Sequence, residues 1–403
     1  MSSTSVTGRL YGIRTVGSHL SFATLRCLDQ EYLCVFSERL KVRAESIVRV
    51  TGELRPSIAS RTFEHEIAVE SYDVVAENRT ITSTQLAGRP YSKAILPKQH
   101  VYMRLPEVRE RLMAKWMAVQ RIRDLLATQR FVEVQSPRIV GRMTDGPTMK
   151  FKLDYFGQEA YLSLSNLLFH TAFVAGDFTS VFEIAPLFRA DVNHSSQHLS
   201  EFLILEITAA YRSREDMMRL SEDVVRAVCD CCGGGGLPDR DLADVPVVTY
   251  EEVRKIVSLA DCAPVQPGAR LKRYHADAVA ASLNRTLFWV IDMPAKHKAF
   301  FSSTRHDPVV DAEVANDFRL YWREIDIVDG GERVTDPRRL RERLADQNLE
   351  SEHFGYYLDV LDGGVPAMTG LGLGIERLIA KALGLGNIRQ LVPFPRFVDH
   401  FEP

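Results

Sequence analysis

VFEIAPLFRADVNHSSQHLSEF, residues 181–202, reads as one apolar strand, a polar loop and the start of a second strand. Phe182–Leu187 and Phe202–Ala210 are rich in β-branched and aromatic residues, and the intervening loop is polar throughout. A strand–loop–strand hairpin of this kind can hold a nucleotide. Arg189 would pair with a phosphate through two parallel hydrogen bonds, His198 would reach a terminal phosphate, and Phe202 offers a face for stacking. An ordinary solvated hairpin carries the same pattern, so the decision rests on what accompanies it.

Two further segments do. Gly370–Leu378, GLGLGIERL, places glycines at every second position and then Arg377 at the start of a helix, 375–383. Bare backbone lets a ligand approach, and a helix start favours an anion. The third glycine, Gly374, comes two residues after the second, so this is not the dinucleotide fingerprint. Asp326–Arg333, DIVDGGER, supplies two carboxylates three apart; such a pair can share a Mg²⁺ that also keeps phosphate oxygens and waters. Each segment alone has a bland alternative, a packing device or a solvated acidic turn. Their co-occurrence in one chain favours a nucleotide site.

Outward from these segments the chain divides. The first 80 residues hold five short strands (6–16, 20–26, 32–36, 47–54, 66–75) separated by turn residues, which suits a five-stranded barrel of the oligonucleotide-binding type. Residues 81–106 lack periodicity and contain Gly88, Pro90, Pro97 and Pro106, as a linker would. From 107 to 403 the pattern is that of an α+β domain. Val108, Leu112, Val119, Ile122 and Leu126 mark a long amphipathic helix ending before Phe131. Strands at 131–134, 182–187, 202–210, 288–291 and 320–328 alternate with helices near 162–175, 214–231 and 338–347, without the regular βα rhythm of a parallel sheet. An antiparallel sheet flanked by helices is expected.

Composition excludes other classes. The 403 residues are 45% hydrophobic and 26% charged, with a formal net charge of −3. That excludes disorder, a collagen-like repeat and a disulfide-stapled miniprotein. No apolar run approaches the roughly 18 residues needed to span a bilayer, so no membrane association and a cytoplasmic location are expected. Residues 1–100 hold 13 Lys+Arg and 10 Asp+Glu, a surplus of about +3 on an otherwise acidic chain. Cys229, Cys231 and Cys232 precede four glycines and lack histidines at zinc spacing, so reduced thiols at a helix end are expected.

The order of these segments resembles a class II aminoacyl-tRNA synthetase, with the best match to aspartyl and asparaginyl enzymes of the archaeal and eukaryotic type. Phe131–Pro137 is similar to the family's first motif, Val181–Phe202 to its second, and Gly370–Arg396 to its third. The resemblance implies that Arg189 contacts the α-phosphate of ATP and the substrate carboxylate, and His198 the γ-phosphate. It implies further that Phe202 stacks on adenine beside Asp191 and Gly374, Arg377 closes on the triphosphate, and Asp326 with Asp329 holds Mg²⁺. Asp145 falls where a loop acid binds the substrate amino group, and Arg333 where an arginine reads the side-chain end. Phe22, with Arg26 on the same barrel strand, falls where RNA is met. A homodimer built on the first motif is also implied.

The chain departs from the family at several positions. The aspartyl lysine falls at Phe169, the glutamine three before it at Asn166, and the asparaginyl glutamate at His170. The second-motif arginine is Gln197 and its glutamate Asp191; a family aspartate is Arg319, a histidine Met368, and an anticodon-reading glutamine Leu33. The expected activity is therefore ATP-dependent formation of an acyl-adenylate from an amino acid related to aspartate or asparagine. A diverged paralog passing the acyl group to a small-molecule amine, ammonia or a tRNA is the leading expectation. An authentic aspartyl- or asparaginyl-tRNA synthetase with an unusual pocket is the alternative, and an inactive RNA-binding or regulatory paralog the third.

Overall fold

The computed structural model describes residues 3–402 apart from 29, 59, 61, 90, 142–149, 193–194 and 234–236. Two compact units divide the chain, 1–106 and 107–403.

In the first unit β1 (Ser3–Val16), β2 (Leu20–Cys27), β3 (Gln30–Phe36), β4 (Ile47–Pro56) and β5 (His65–Ala76) close into a barrel ordered β1-β2-β3-β5-β4. Alternate residues such as Leu10, Ala23, Leu25, Cys34, Val48, Val50 and Ile67 fill its interior. Gly52 marks a register shift in β4; a Cβ there would lie 2.1 Å from the Ala68 carbonyl oxygen, so glycine lets β4 and β5 close. The 81–106 stretch, expected as a linker, is instead part of this unit. Buried Glu45 accepts from the Ser83 backbone N–H at 2.6 Å and from Arg104 at 2.8 Å, which anchors both ends of the stretch. It carries short helical turns, among them α1 (Gln99–Tyr102), and buries Leu86, Ile95, Leu96 and Val101. Paired polar contacts, which leave no periodic signal, hold it in place.

The second unit opens with α2 (Pro106–Thr128), whose buried stripe is Val108, Ala118, Val119, Ile122 and Leu126. Then follow β6 (Val132–Glu133), and a small sheet of β7 (Ile139–Val140), β8 (Lys152–Tyr155) and β9 (Gln158–Leu162). Next come α3 (Leu167–Ala175), the hairpin β10 (Ser180–Phe188) and β11 (Glu201–Ala210), and α4 (Arg214–Cys231), whose N-cap Ser213 accepts from the Asp216 N–H. α5 (Asp239–Ala243), β12 (Val247–Thr249), α6 (Tyr250–Ser258), α7 (Arg273–Leu283) and β13 (Leu287–Ile291) lead to the ribbon β14 (Thr304–Asp307) and β15 (Ala312–Ala315). The chain ends with β16 (Asp317–Trp322), β17 (Ile325–Glu332), α8 (Pro337–Asp346), α9 (Gly355–Asp362), β18 (Met368–Gly374) and α10 (Ile375–Ala382).

The main sheet has the order β12-β13-β16-β17-β18-β11-β10-β6. Its six inner strands are antiparallel, as expected, while β12 and β6 add parallel pairs at the two edges. The single strand expected over 320–328 is a hairpin, with Arg323 turning at φ 51° between β16 and β17. The helix expected from 162 starts at Leu167, because β9 runs to Leu162.

One face of this sheet is the core. Leu205, Ile207, Leu320, Val328, Leu371 and Leu373 pack there against apolar residues of α2, α4 and α10. The other face carries the polar residues of the same strands. A bulge at Ile327 brings Asp326 and Asp329 to that face although they are three residues apart. The three cysteines near 230 are free, Cys229 and Cys231 on the last turn of α4 and Cys232 capping it, and burial raises the Cys229 thiol to about 12. Among the described residues no helix is long and apolar enough to cross a membrane.

Candidate active site

The open face of the sheet forms a cleft of about 290 Å³. Arg189, Asp191, His198, Phe202, Asp326, Asp329, Arg333, Gly374 and Arg377, all named from sequence, line it together. Arg189 leaves the end of β10 and lies over the Phe202 ring at 5.3 Å, so a flat guanidinium and a flat ring bound one wall. The loop between them is fastened from a distant part of the chain. Ser196 Oγ and Gln197 Nε2 donate to the Gly386 carbonyl at 3.0 and 3.1 Å, and Arg389 donates to the Ser195 carbonyl at 3.1 Å. Residues 386–389 thus hold this loop in place.

His198 accepts from or donates to Ser195 Oγ through Nδ1 at 2.6 Å. Burial and then the nearby Arg377 hold its pKa below the ordinary value, with Asp191 pulling the other way. The ring is neutral at neutral pH. In the free protein its NMR titration midpoint is expected below 6.5, and replacement of Arg377 by alanine should move it upward. A midpoint at or above 6.5 would remove Arg377 and burial as the controlling influences.

At the inner end, Arg333 is 7% exposed and lies over Phe301 at 4.8 Å. Gly370 makes room for it, since a Cβ there would stand 2.5 Å from Arg333 Nη2 and 3.0 Å from Thr208 Oγ1. Glu206 on β11 accepts from Ser165 Oγ at 2.9 Å and from the Asn166 N–H at 2.7 Å, fixing the start of α3. Here the sequence reading needs correction. Asn166 and His170 are fully buried and do not line the cleft; Leu167 does. Asn166 accepts from Arg138 at 2.6 Å, while His170 sits between Glu183 at 3.4 Å and Thr208 at 3.5 Å. Successive helix positions are turned by about 100°, so a shift of one residue moves a side chain from cleft to core. Asp145 lies outside the described residues.

The acids assigned to Mg²⁺ are engaged elsewhere. Asp326 accepts from Arg377 at 3.1 Å. Asp329 is paired with Arg319 at 2.7 Å and with Lys298, which also reaches buried Asp317 at 3.1 Å. Desolvation inside the cleft pulls the Asp329 carboxyl upward although its side chain is 46% exposed, but Arg319 and Lys298 outweigh that and hold the group well below the usual carboxylate range. Among the described residues no group of three or more His, Cys, Asp or Glu is arranged to hold a metal ion. As placed, both carboxylates face basic side chains rather than an open cation position. Lys298 was missed from sequence because MPAKHKAFF has no distinguishing pattern.

On the barrel, Phe22 is partly exposed beside Arg14 at 5.6 Å. Arg26 is already committed to Glu31 at 2.7 Å, to the Arg104 carbonyl at 3.1 Å and to the Tyr11 ring at 4.4 Å. Leu33 is 8% exposed.

Residues 92–398 match the family described as tRNA synthetases class II (D, K and N). The chain is 29% identical over 373 residues to the aspartate–tRNA(Asp/Asn) ligase of Archaeoglobus fulgidus, covering 90% of this chain and 85% of that protein. It is 27% identical to the aspartate–tRNA(Asp) ligase of Thermoplasma acidophilum, covering 88% and 84%. Among solved structures, asparaginyl-tRNA synthetase of Pyrococcus horikoshii complexed with asparaginyl-adenylate is similar with a TM-score of 0.89 and 24% identity, covering all of this chain and 96% of that one. The chain belongs to the class II tRNA synthetases of the D, K and N type and is an adenylate-forming ligase of that class.

Proposed function

We propose that this protein activates aspartate, or an amino acid with the same carboxylate-bearing side chain, with ATP and passes the aminoacyl group to a tRNA. The observation that carries the reading is the convergence of Arg189, Phe202, His198 and Arg377 at one end of a cleft whose other end holds Arg333. The family uses ATP with Mg²⁺ generally, and the named relatives, matched over 85% and 84% of their length, are aspartate–tRNA ligases. The amino-acid carboxylate attacks the α-phosphorus in line and pyrophosphate leaves, so the protein must position the reactants and neutralise charge rather than supply a nucleophile. Arg189 is given the α-phosphate, Arg377 and neutral His198 the leaving end, Phe202 the adenine and Arg333 the side-chain carboxylate. Pyrophosphate exchange across a panel of amino acids, followed by acylation of tRNA, tests this. Exchange with aspartate and charging of tRNA-Asp are expected; exchange with no amino acid would sink the reading.

A second acceptor, a small-molecule amine or ammonia, is favoured by the barrel. Leu33 offers no base-edge hydrogen bond and Arg26 is held within its own unit, whereas stacking on Phe22 tolerates any base. Robust exchange together with no tRNA charging would select it.

A homodimer belongs to the same proposal. Met113, Trp116 and Met117 on α2 are 43, 58 and 46% exposed, an apolar strip outside the buried stripe of that helix. Light scattering is expected to give twice the 45.5 kDa chain mass; a monomer at micromolar concentration would count against it.

A further inference from the structure

The cleft corner around Asp329 points away from a divalent cation. Arg319 and Asp329 are direct cross-strand partners on β16 and β17, so sheet register fixes the pair. Lys298 approaches from the chain after β13 and bridges Asp329 to Asp317, a carboxylate with no solvent exposure. Arg319 Nε is buried and has no acceptor among the described residues, which leaves a further donor in the corner. Asp326, the remaining acid, is occupied by Arg377. Divalent-ion sites gather oxygen ligands free of competing cations. Here each carboxylate already has at least one basic partner.

We infer that Lys298 and Arg319 close this corner to a resident divalent ion and supply fixed positive charge in its place. The ion that accompanies ATP is then held by the nucleotide's phosphate oxygens and water rather than by Asp326 and Asp329. The inference rests on reading the cleft as the ATP site. Asp329 is the positioning residue that holds both cations in place.

Mn²⁺ as the probe, followed by electron paramagnetic resonance of the free ion, tests this on the whole chain without amino acid. With protein alone, no site tighter than about 1 mM is expected. With a non-hydrolysable ATP analogue, bound Mn²⁺ should follow the nucleotide and stay the same in Asp329→Asn. One Mn²⁺ per chain bound without nucleotide, or extra Mn²⁺ lost in Asp329→Asn, would overturn the inference. Arg319→Asp removes the cation and adds a carboxylate, so Mn²⁺ binding should tighten about tenfold or more. A folded Arg319→Asp protein with no gain would show that Arg319 is not what closes the corner. Should that variant fail to fold, the titrations of the unmodified chain and Asp329→Asn decide alone. Failure of pyrophosphate exchange would sink the functional reading and leave these ion titrations standing.

Discussion

Alanine at Arg189 is expected to lower amino-acid-dependent pyrophosphate exchange about a hundredfold or more while leaving the unfolding transition unchanged. The side chain reaches from the end of β10 over the Phe202 ring, and its backbone N–H is held by the Ser200 carbonyl at 2.9 Å whatever the side chain is. What is lost is a charge-assisted contact aimed at developing negative charge, and little packing. Lysine at the same position keeps the charge but not the planar fork, and should recover only a small part of the rate. Wild-type exchange in Arg189→Ala would mean that the chemistry lies elsewhere.

Glu183→Ala is expected to destabilise the second unit by about 3 kcal/mol or more, measured by urea unfolding. Glu183 is 2% exposed on β10 and accepts from the Ser136 N–H at 2.9 Å, Ser136 Oγ at 2.8 Å, Arg138, and His170 at 3.4 Å. Alanine strands these donors, and Arg138 also holds Asn166 at the start of α3. Burial tends to raise the Glu183 carboxyl, but the bonds from His170 and Ser136 and the charge of Arg138 outweigh it, and the group lies below its ordinary 4.5. A carboxyl depressed in the folded state contributes stability above its unfolded value, and that contribution is lost as pH falls from about 4.5 through the folded value. In Glu183→Gln the drop in stability on acidification should therefore shrink. An unchanged acid limb would exclude Glu183 as its source.

The barrel strands and the second-motif hairpin were legible because alternation and turn residues mark them locally; all five barrel strands begin and end within three residues of expectation. The cleft residues of the three quoted segments were legible because arginine, histidine and paired acids are costly to keep in a core. Glu183 and Glu206 were equally visible as lone acids in the apolar runs VFEIAPLF and LILEITAA, a signal left unused. What could not be read was partnership. Sequence shows that Asp326 and Asp329 are acids, but their occupation by Arg377, Arg319 and Lys298 depends on strand register and on a bulge. The start of α3 was misplaced by the same limitation, since β9 leads almost directly into it and the side chain that meets the cleft turns on a single residue.

From Gly370 onward β18 is apolar on its underside through Leu371 and Leu373 and carries only glycines above, at 370, 372 and 374. The floor of the cleft there is main chain, and a methyl group at Gly372 would already press on Ile204 at 3.3 Å. Point substitution at these three glycines can only subtract space. Any adaptive change of substrate must therefore be written on the surrounding walls. Leu167, Lys298 and Asp329 stand on those walls, and a selection experiment that drives this enzyme toward a bulkier amino acid should accumulate its changes there and none on the floor.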